Sequence, residues 1–206
     1  MSLVMLLLAH PRPTSYCHAL AERIGEQLIG LGHEVRSHDL YAERFDPILT
    51  TYESHTSGEE IESVLAREED PTIALHREEL RQAEGLAVVH PNWWGMPPAI
   101  LTGWINRIVV PGVAYRLEDA TGYPEPLAPI QDLLVVNTSD TTDEREETLY
   151  KDPLASIWGR CVAPYLGGPR VTRRVLRPVT DSSDEQRAAW IDEVGTLAAD
   201  TFGAVS

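Results

Sequence analysis

Cysteine is scarce in this 206-residue sequence, which holds only Cys17 and Cys161. Two thiols build neither a disulfide framework nor a four-thiolate zinc site. The seven histidines are scattered without zinc-ligand spacing, so no metal centre is expected. Positive charge is short as well. Seventeen Lys and Arg face 32 Asp and Glu, for a net charge of −15. Such a chain repels phosphate backbones and anionic lipid, so neither a nucleic-acid partner nor a membrane is expected. The only long apolar run is Leu3 to Ala9, too short to span a bilayer. No basic segment precedes it and His10-Pro11 follows at once, so a signal peptide is not expected and the expected compartment is cytoplasmic. Glycine-fingerprint dinucleotide binding is also unsupported. Gly30-Leu31-Gly32 ends a helix instead of following a strand, and no third glycine completes it.

What is present reads as one α/β domain over residues 1–206. Hydrophobic residues make up 43% and charged residues 24%, a globular composition. At this length a domain buries roughly 70% of its unfolded surface. Leu3 to Ala9 is a strand buried on both faces. Leu20, Ile24, Leu28 and Leu31 recur at helical spacing, so a helix is expected from about Ser15 to Leu31, stopped by Gly30 and Gly32. Glu34 to Leu40 is a shorter, more polar strand near an edge. Residues 41–75 are irregular, with Gly58 and Pro71 as breakers, and a loop that long is usually functional or mobile. A helix over Thr72 to Ala83 and the strand Gly85 to His90 follow. Pro97-Pro98 opens an amphipathic helix carrying Leu101, Trp104, Ile105 and Ile108. Asp132 to Asn137 is another buried strand. Asp152 to Tyr165 is expected as a helix, Val171 to Val179 as a strand, and Ser183 to Phe202 as the last helix. Five strands alternating with helices imply a doubly wound parallel sheet of flavodoxin-like order 2-1-3-4-5. Such sheets bind ligands beyond the carboxyl ends of their strands, at the point where strand order reverses.

Three strand ends therefore carry the candidate site. After the first strand come His10, Arg12, Thr14, Ser15, Tyr16 and Cys17, hydroxyls and donors at a helix start. Free amides and the helix dipole there suit a phosphate, although Thr14 or Ser15 capping the helix explains the same residues. After the third strand come Pro91, Asn92, Trp93, Trp94 and Gly95. Neighbouring side chains diverge, so one tryptophan is expected inward and the other as a flat wall for a planar ligand. After the fourth come Asn137, Thr138, Ser139 and Asp140, small polar groups suited to a ring edge. The acidic run Glu144 to Glu147 is expected as a solvated face. A catalytic role for the Cys17 thiol has little local support.

These segments resemble the NAD(P)H:quinone oxidoreductase family of the DT-diaphorase type. Ala9-His10-Pro11 with Thr14-Ser15-Tyr16 and Ala19 carries the likeness. So does Pro91-Asn92-Trp93-Trp94-Gly95-Met96-Pro97-Pro98 through Arg107, continued to Gly112-Val113-Ala114-Tyr115. Asp39-Leu40-Tyr41 with Phe45-Asp46-Pro47-Ile48 is the third match. The resemblance implies a flavoprotein that takes hydride from NAD(P)H and passes it to a quinone or similar planar acceptor. It implies FAD, with FMN as the alternative, because residues 48–75 suit an arm over an adenine. It places the flavin phosphate at His10, Ser15, Tyr16, Cys17 and Ala19, with Cys17 standing where many members have asparagine. It places the isoalloxazine against Pro91 to Trp94, with Asn137 to Asp140 at its edge. Trp94 is the recurrent aromatic, and Tyr115 reaches the site of the other subunit in a homodimer. Tyr150 is a catalytic candidate in a region where the family's own tyrosine and histidine have no secure counterpart. A flavodoxin-like electron carrier or flavin-binding regulatory protein is the competing class.

Overall fold

A computed structural model describes residues 2–54, 59–67, 70–117 and 124–204. Gly58 and Glu69, part of the expected irregular loop, lie outside these residues. The strands are β1 (Leu3–Leu8), β2 (Glu34–Asp39), β3 (Gly85–Pro91), a short hairpin of β4 (Tyr115–Leu117) and β5 (Pro124–Pro126), then β6 (Asp132–Thr138) and β7 (Arg170–Leu176). The main sheet runs β2-β1-β3-β6-β7 and every pair in it is parallel. That is the expected order, with the hairpin inserted before the fourth of its strands.

Apolar side chains alternate between two cores. Met5, Leu7, Leu86, Val88, Leu133 and Val135 face α3 (Pro71–Gln82) and α4 (Ala99–Ile108). Val4, Leu6, Leu8, Ala87, Val89, Leu134 and Val136 face α1 (Tyr16–Gly30) and α7 (Asp184–Phe202). The central strands are thus apolar on both faces, as sheets covered on both sides require. At Gly103 of α4, an added Cβ would lie 2.3 Å from the Pro47 carbonyl oxygen. Only glycine lets the 45–48 segment pack so closely on this helix.

Some boundaries differ from expectation. Pro71 does not break the chain. It occupies the first turn of α3, where a missing N–H costs nothing, and the Asp70 side chain accepts from the Thr72 amide at 2.8 Å. A short helix, α2 (Ile61–Leu65), sits within the region expected to be irregular. The helix expected over 152–165 is broken. The turn α5 (Asp143–Arg145) leads into a π-turn over 146–150, and α6 (Pro153–Ser156) into another over 157–162 and a 3-10 turn over 163–166. Pro164 cannot donate to the carbonyl one turn back, so regular winding fails there. β7 stops at Leu176 instead of Val179, because Pro178 has no N–H to continue a ladder.

The two edge strands are guarded by ion pairs. On β7, Arg170 pairs with Asp132, Arg173 with Asp152 and Arg174 with Glu193. On β2, Arg36 pairs with Glu34.

Between β2 and α3 the fold assembles a cluster that sequence spacing does not reveal. His38 Nδ1 meets Glu43 at 2.9 Å and Nε2 meets Glu79 at 2.5 Å. His76 Nε2 lies 3.2 Å from the other Glu43 oxygen. His38, Glu43 and His76 are close enough to share a cation. However, the Trp104 indole, a donor only, points at His76 Nδ1 at 2.9 Å. His76 Nδ1 must accept, its proton sits on Nε2, and that nitrogen has no lone pair for a metal. The cluster is instead a charged hydrogen-bond chain. Burial lowers the His38 pKa, but bonding to Glu43 and Glu79 outweighs it and leaves the pKa raised. Burial raises Glu43, and its bonds to the two histidines outweigh that and hold it at about 2.

The signs give a testable pH profile. A raised His38 pKa stabilises the fold below the free-histidine value of about 6.5, and this is lost as pH rises through the folded value. A depressed Glu43 pKa stabilises above the ordinary carboxylate range and is lost as pH falls towards about 2. Urea unfolding of the parent should therefore weaken as pH rises past the free-histidine value. His38→Gln should flatten that limb, and an unchanged limb in this variant contradicts the assignment.

Candidate active site

The floor of the site is a buried polar chain. His90, fully buried at the carboxyl end of β3, has Nδ1 2.9 Å from the Pro91 carbonyl oxygen, so Nδ1 carries the proton. Nε2 then accepts twice, from Asn137 Nδ2 at 2.7 Å and from Trp158 Nε1 at 3.0 Å. Burial, aided by the nearby Arg173 charge, drives the His90 pKa down to about 4, and the ring is neutral. Asn137 Oδ1 accepts from Arg173 at 2.8 Å, and Arg173 clasps Asp152 with two bonds of 2.7 and 2.9 Å. This chain joins β3, β6, β7 and the 152–162 segment beneath the loops that face solvent.

Above it lies a cavity of about 220 Å³ lined by His10, Arg12, Ser15, Tyr16, Cys17, Pro91, Asn92, Trp93, Thr138, Ser139, Asp140, Val179 and Thr180. It sits at the carboxyl ends of β1, β3 and β6, where strand order reverses. Ser15 is the residue before the first turn of α1, yet its side chain makes no capping bond and that turn holds no acid. The simple capping explanation for Ser15 therefore fails, and the Tyr16 and Cys17 amides remain available to a ligand. His10 Nδ1 accepts from the Arg12 amide at 3.1 Å, and burial lowers its pKa. The neutral ring thus carries its proton on Nε2. The Tyr16 hydroxyl donates to the Arg187 carbonyl at 2.7 Å, tying α1 to the start of α7. Cys17 is buried beside Thr138, and burial pushes its thiol up to about 11, which leaves it inert as a nucleophile. Asp140 accepts from the Thr180 amide at 2.8 Å.

The tryptophan loop is a two-residue hairpin. Trp93 and Met96 exchange both backbone bonds, at 3.2 and 3.0 Å, and Trp94 and Gly95 at the tip have φ of +59° and +76°. Two left-handed residues define a tight turn of the I′ class, which favours Asn-Gly, not Trp-Gly. Asn92 braces it, accepting from the Gly95 amide at 2.9 Å and donating to Glu146 at 3.3 Å. The expectation of one inward tryptophan is corrected. Trp93 is 39% exposed, with its ring centroid 6.0 Å from that of His10, and Trp94 is 96% exposed. A hairpin tip projects away from the sheet, so neither indole reaches the core. Trp94 instead lines a second cavity of about 510 Å³ with Asn92, Gly95, Thr141, Glu146, Leu149, Tyr150 and Pro153. Asn92 borders both cavities.

The structure thus gathers His10, Ser15, Tyr16, Cys17, Pro91, Asn92, Trp93, Thr138, Ser139 and Asp140 at the first cavity, and Trp94, Gly95 and Tyr150 at the second. Thr14 is exposed at the loop before α1, and Ala19 lies within its first turns. Asn137 is fully buried in the floor and faces His90, so it does not line either cavity. Tyr115 is elsewhere. Its ring centroid lies 4.8 Å from that of Tyr165, and it lines a cavity of about 400 Å³ with Glu53, Ile61 and Val110. Glu146, expected on a solvated face, is 2% exposed and lies 3.8 Å from the Arg177 guanidinium. The π-turn over 146–150 rotates it inward, out of the phase that the acidic run suggests. Sequence reasoning missed Glu146, His90 and Arg173, because only the meeting of distant elements gives them partners.

A parallel sheet with its crevice at the switch point defines the doubly wound α/β class with strand order 2-1-3 at that point. The chain belongs to the flavodoxin-like fold family, whose model matches residues 2–196. It is similar to the NAD(P)H dehydrogenase (quinone) 1 of Rattus norvegicus, at 34% identity over 121 residues, covering 54% of this chain and 44% of the relative. An uncharacterized NAD(P)H oxidoreductase of Haemophilus influenzae is 32% identical over 116 residues, covering 56% and 54%. The chain spans about half the length of the curated relatives it matches. The solved NAD(P)H:quinone oxidoreductase of Methanothermobacter marburgensis superposes with a TM-score of 0.76 at 23% identity, covering 97% of this chain and 96% of that one.

Two substitutions separate support from display. His90→Ala removes a double acceptor and leaves the Asn137 and Trp158 donors buried and unpaired, so about 2–4 kcal/mol of stability should be lost. Trp94→Gly relieves a left-handed conformation that costs an L-residue about 1 kcal/mol, so urea unfolding should show equal or greater stability. A marked loss of stability in Trp94→Gly would mean that the exposed indole is a packing element.

Proposed function

We propose that this chain is a flavin-dependent NAD(P)H oxidoreductase, one domain over residues 1–206, that reduces quinones or similar planar acceptors by ping-pong hydride transfer. One observation carries the proposal. An uncapped helix start, a polar loop and Trp93 surround a crevice at the sheet's switch point, and a second cavity, walled by Trp94, opens from its Asn92 rim. The names of the relatives in rat and in Haemophilus influenzae support the same chemistry.

In this assignment His10, Thr14, Ser15, Tyr16, Cys17 and Ala19 cradle the flavin phosphate with amides, hydroxyls and the helix dipole. Pro91, Asn92, Trp93, Trp94 and Gly95 wall the ring, and Asn137 to Asp140 form its edge, Asn137 acting through the floor. The flavin supplies hydride chemistry when bound, and the protein supplies binding, orientation and electrostatics. Trp94 and Tyr150 flank the cavity in which the nicotinamide and the acceptor take turns, which gives ping-pong kinetics. Backbone amides of the two loops stabilise negative charge that develops on the ring. FAD is assigned ahead of FMN because the 48–75 segment suits an arm over adenine. In its own chain Leu49, Glu53, Ile61 and Leu65 of that segment share a cavity with Tyr115, away from the crevice. Both therefore serve the site across a homodimer, whose interface must bury more than about 1,000 Å² to overcome like charge. The protein works in the cytoplasm in this proposal.

An electron carrier without turnover is the competing function that the net charge of −15 favours. Stoichiometric hydride transfer with no turnover on quinones would establish the carrier instead.

The decisive measurement is the absorption spectrum of the purified protein with identification of the released cofactor. Ser15→Glu sets a negative charge against the phosphate and should abolish flavin retention with circular dichroism unchanged. Trp94→Ala should slow flavin reduction by NAD(P)H and reoxidation by quinone on the order of 10–100-fold in stopped flow, because a looser wall misplaces the reacting atoms. If Trp93→Ala and Trp94→Ala both keep parental rates, the stacking wall is wrong.

A further inference from the structure

Ser15 belongs to a hydrogen-bond chain that leads away from the crevice. Its Oγ lies 2.8 Å from His18 Nδ1, and His18 Nε2 lies 3.0 Å from Asp39 Oδ2. The other Asp39 oxygen accepts from the amides of Tyr41 and Ala42 at 3.0 and 3.1 Å, which holds the carboxylate in place. A carboxylate only accepts, so His18 Nε2 carries a proton. In the neutral ring Nδ1 is then a lone pair and takes the Ser15 hydroxyl hydrogen. Ser15 Oγ is left to face the crevice with lone pairs alone. A phosphate oxygen placed there would meet an acceptor.

Protonation of Nδ1 reverses the polarity. The imidazolium donates to Ser15 Oγ, and the Ser15 hydroxyl is released to donate into the crevice. We infer that an anion at the start of α1 binds with uptake of one proton by His18, with Ser15 as the donor it switches and Asp39 as the counter-charge. The anion is the phosphate of the proposed flavin, so the inference rests on that function. The proton comes from solvent and forms the N–H bond at His18 Nδ1. The Ser15 hydrogen stays on Oγ and changes only its partner. His18 is thus a positioning residue.

The surrounding charges fit this coupling. His10, whose ring centroid is 6.4 Å from that of His18, is held neutral by burial and does not compete for the proton. Arg12 is exposed at the rim of the crevice. Glu22 and Glu26 of α1 line a shallow groove with His18 and Asp39 and favour a cation there, while the raised-pKa His38 on the same groove opposes it.

The test is calorimetric titration of the flavin-stripped full chain with FAD and FMN at pH 7.5–9, in buffers of different ionisation enthalpy. The FMN phosphate is already a dianion in this range, since its second pKa is about 6. The parent should take up a proton on binding, and its affinity should fall as pH rises. Riboflavin, which lacks the phosphate, should bind with no uptake. Asp39→Asn can donate its amide to His18 Nε2, leaving the neutral ring's proton on Nδ1. This variant should bind flavin without proton uptake and with a flat pH profile. His18→Gln keeps a donor for Ser15 that does not titrate, and should be flat as well. A purely structural role would weaken binding in both variants and leave the slope unchanged. Flavin binding by the parent without proton uptake overturns this inference alone, as does uptake that persists in His18→Gln. Failure of the parent to bind either flavin overturns the proposed function and this inference together.

Discussion

A single nitrogen, His90 Nε2, accepts two N–H donors in a site with no water-facing surface, and the crevice depends on it. Were His90 to gain a second proton, Asn137 and Trp158 would each lose their acceptor. Burial and the nearby Arg173 charge prevent this across the physiological range, since the ring's pKa lies at about 4. The neutral ring therefore fixes three things at once. It sets how β3 and β6 end, orients Asn137 towards Arg173, and pins the irregular 152–162 segment under the second cavity through Trp158. The loops above can be polar, exposed and partly strained because the floor below them is fully satisfied.

Most of the fold was legible in the sequence. Leu3 to Ala9 and Asp132 to Asn137 are apolar without alternation, which only a strand covered on both faces explains. Helical spacing of apolar residues located α1 and α4, and the switch-point rule directed attention to three loops that do converge. The failures have physical causes. Residues 152–165 carry helix-forming periodicity, but Pro164 and the demand that Trp158 reach His90 break the winding. Glu146 sits in an acidic run whose composition says solvent, while a π-turn changes its phase. His38 and His76 are 38 positions apart in the numbering, and their meeting depends on how α3 packs over β2, which no local pattern encodes. Trp93-Trp94 was recognisable as costly, yet the hairpin tip that displays both needs a left-handed tryptophan, a conformation the residue type argues against.

Charge is used in two distinct ways. The sequence holds one lysine, Lys151, so its buried cations are arginines, and Arg77, Arg107 and Arg177 have their side chains almost fully covered. A guanidinium keeps its proton at any pH a folded protein meets. Ion pairs such as Arg107 with Glu53, at 2.8 Å, are thus permanent on the cation side. Protons move instead through histidines. Two carboxylates raise the pKa of His38, burial keeps His90 neutral beneath the crevice, and His18 stands between Asp39 and Ser15. Fixed charge belongs to the frame and titratable charge to the places where polarity can change.

The ion pairs along β7 and at β2 carry a consequence for how copies of this chain can meet. A parallel sheet ending in bare strands offers a template onto which another strand can add, the route to fibrous aggregates. Here the outer strand β7 reads Arg-Val-Thr-Arg-Arg-Val-Leu, and each of its arginines is tied to an acid of a neighbouring segment. A second chain pairing with this edge would bring the same cations against themselves. Sheet extension at this edge is thereby disfavoured.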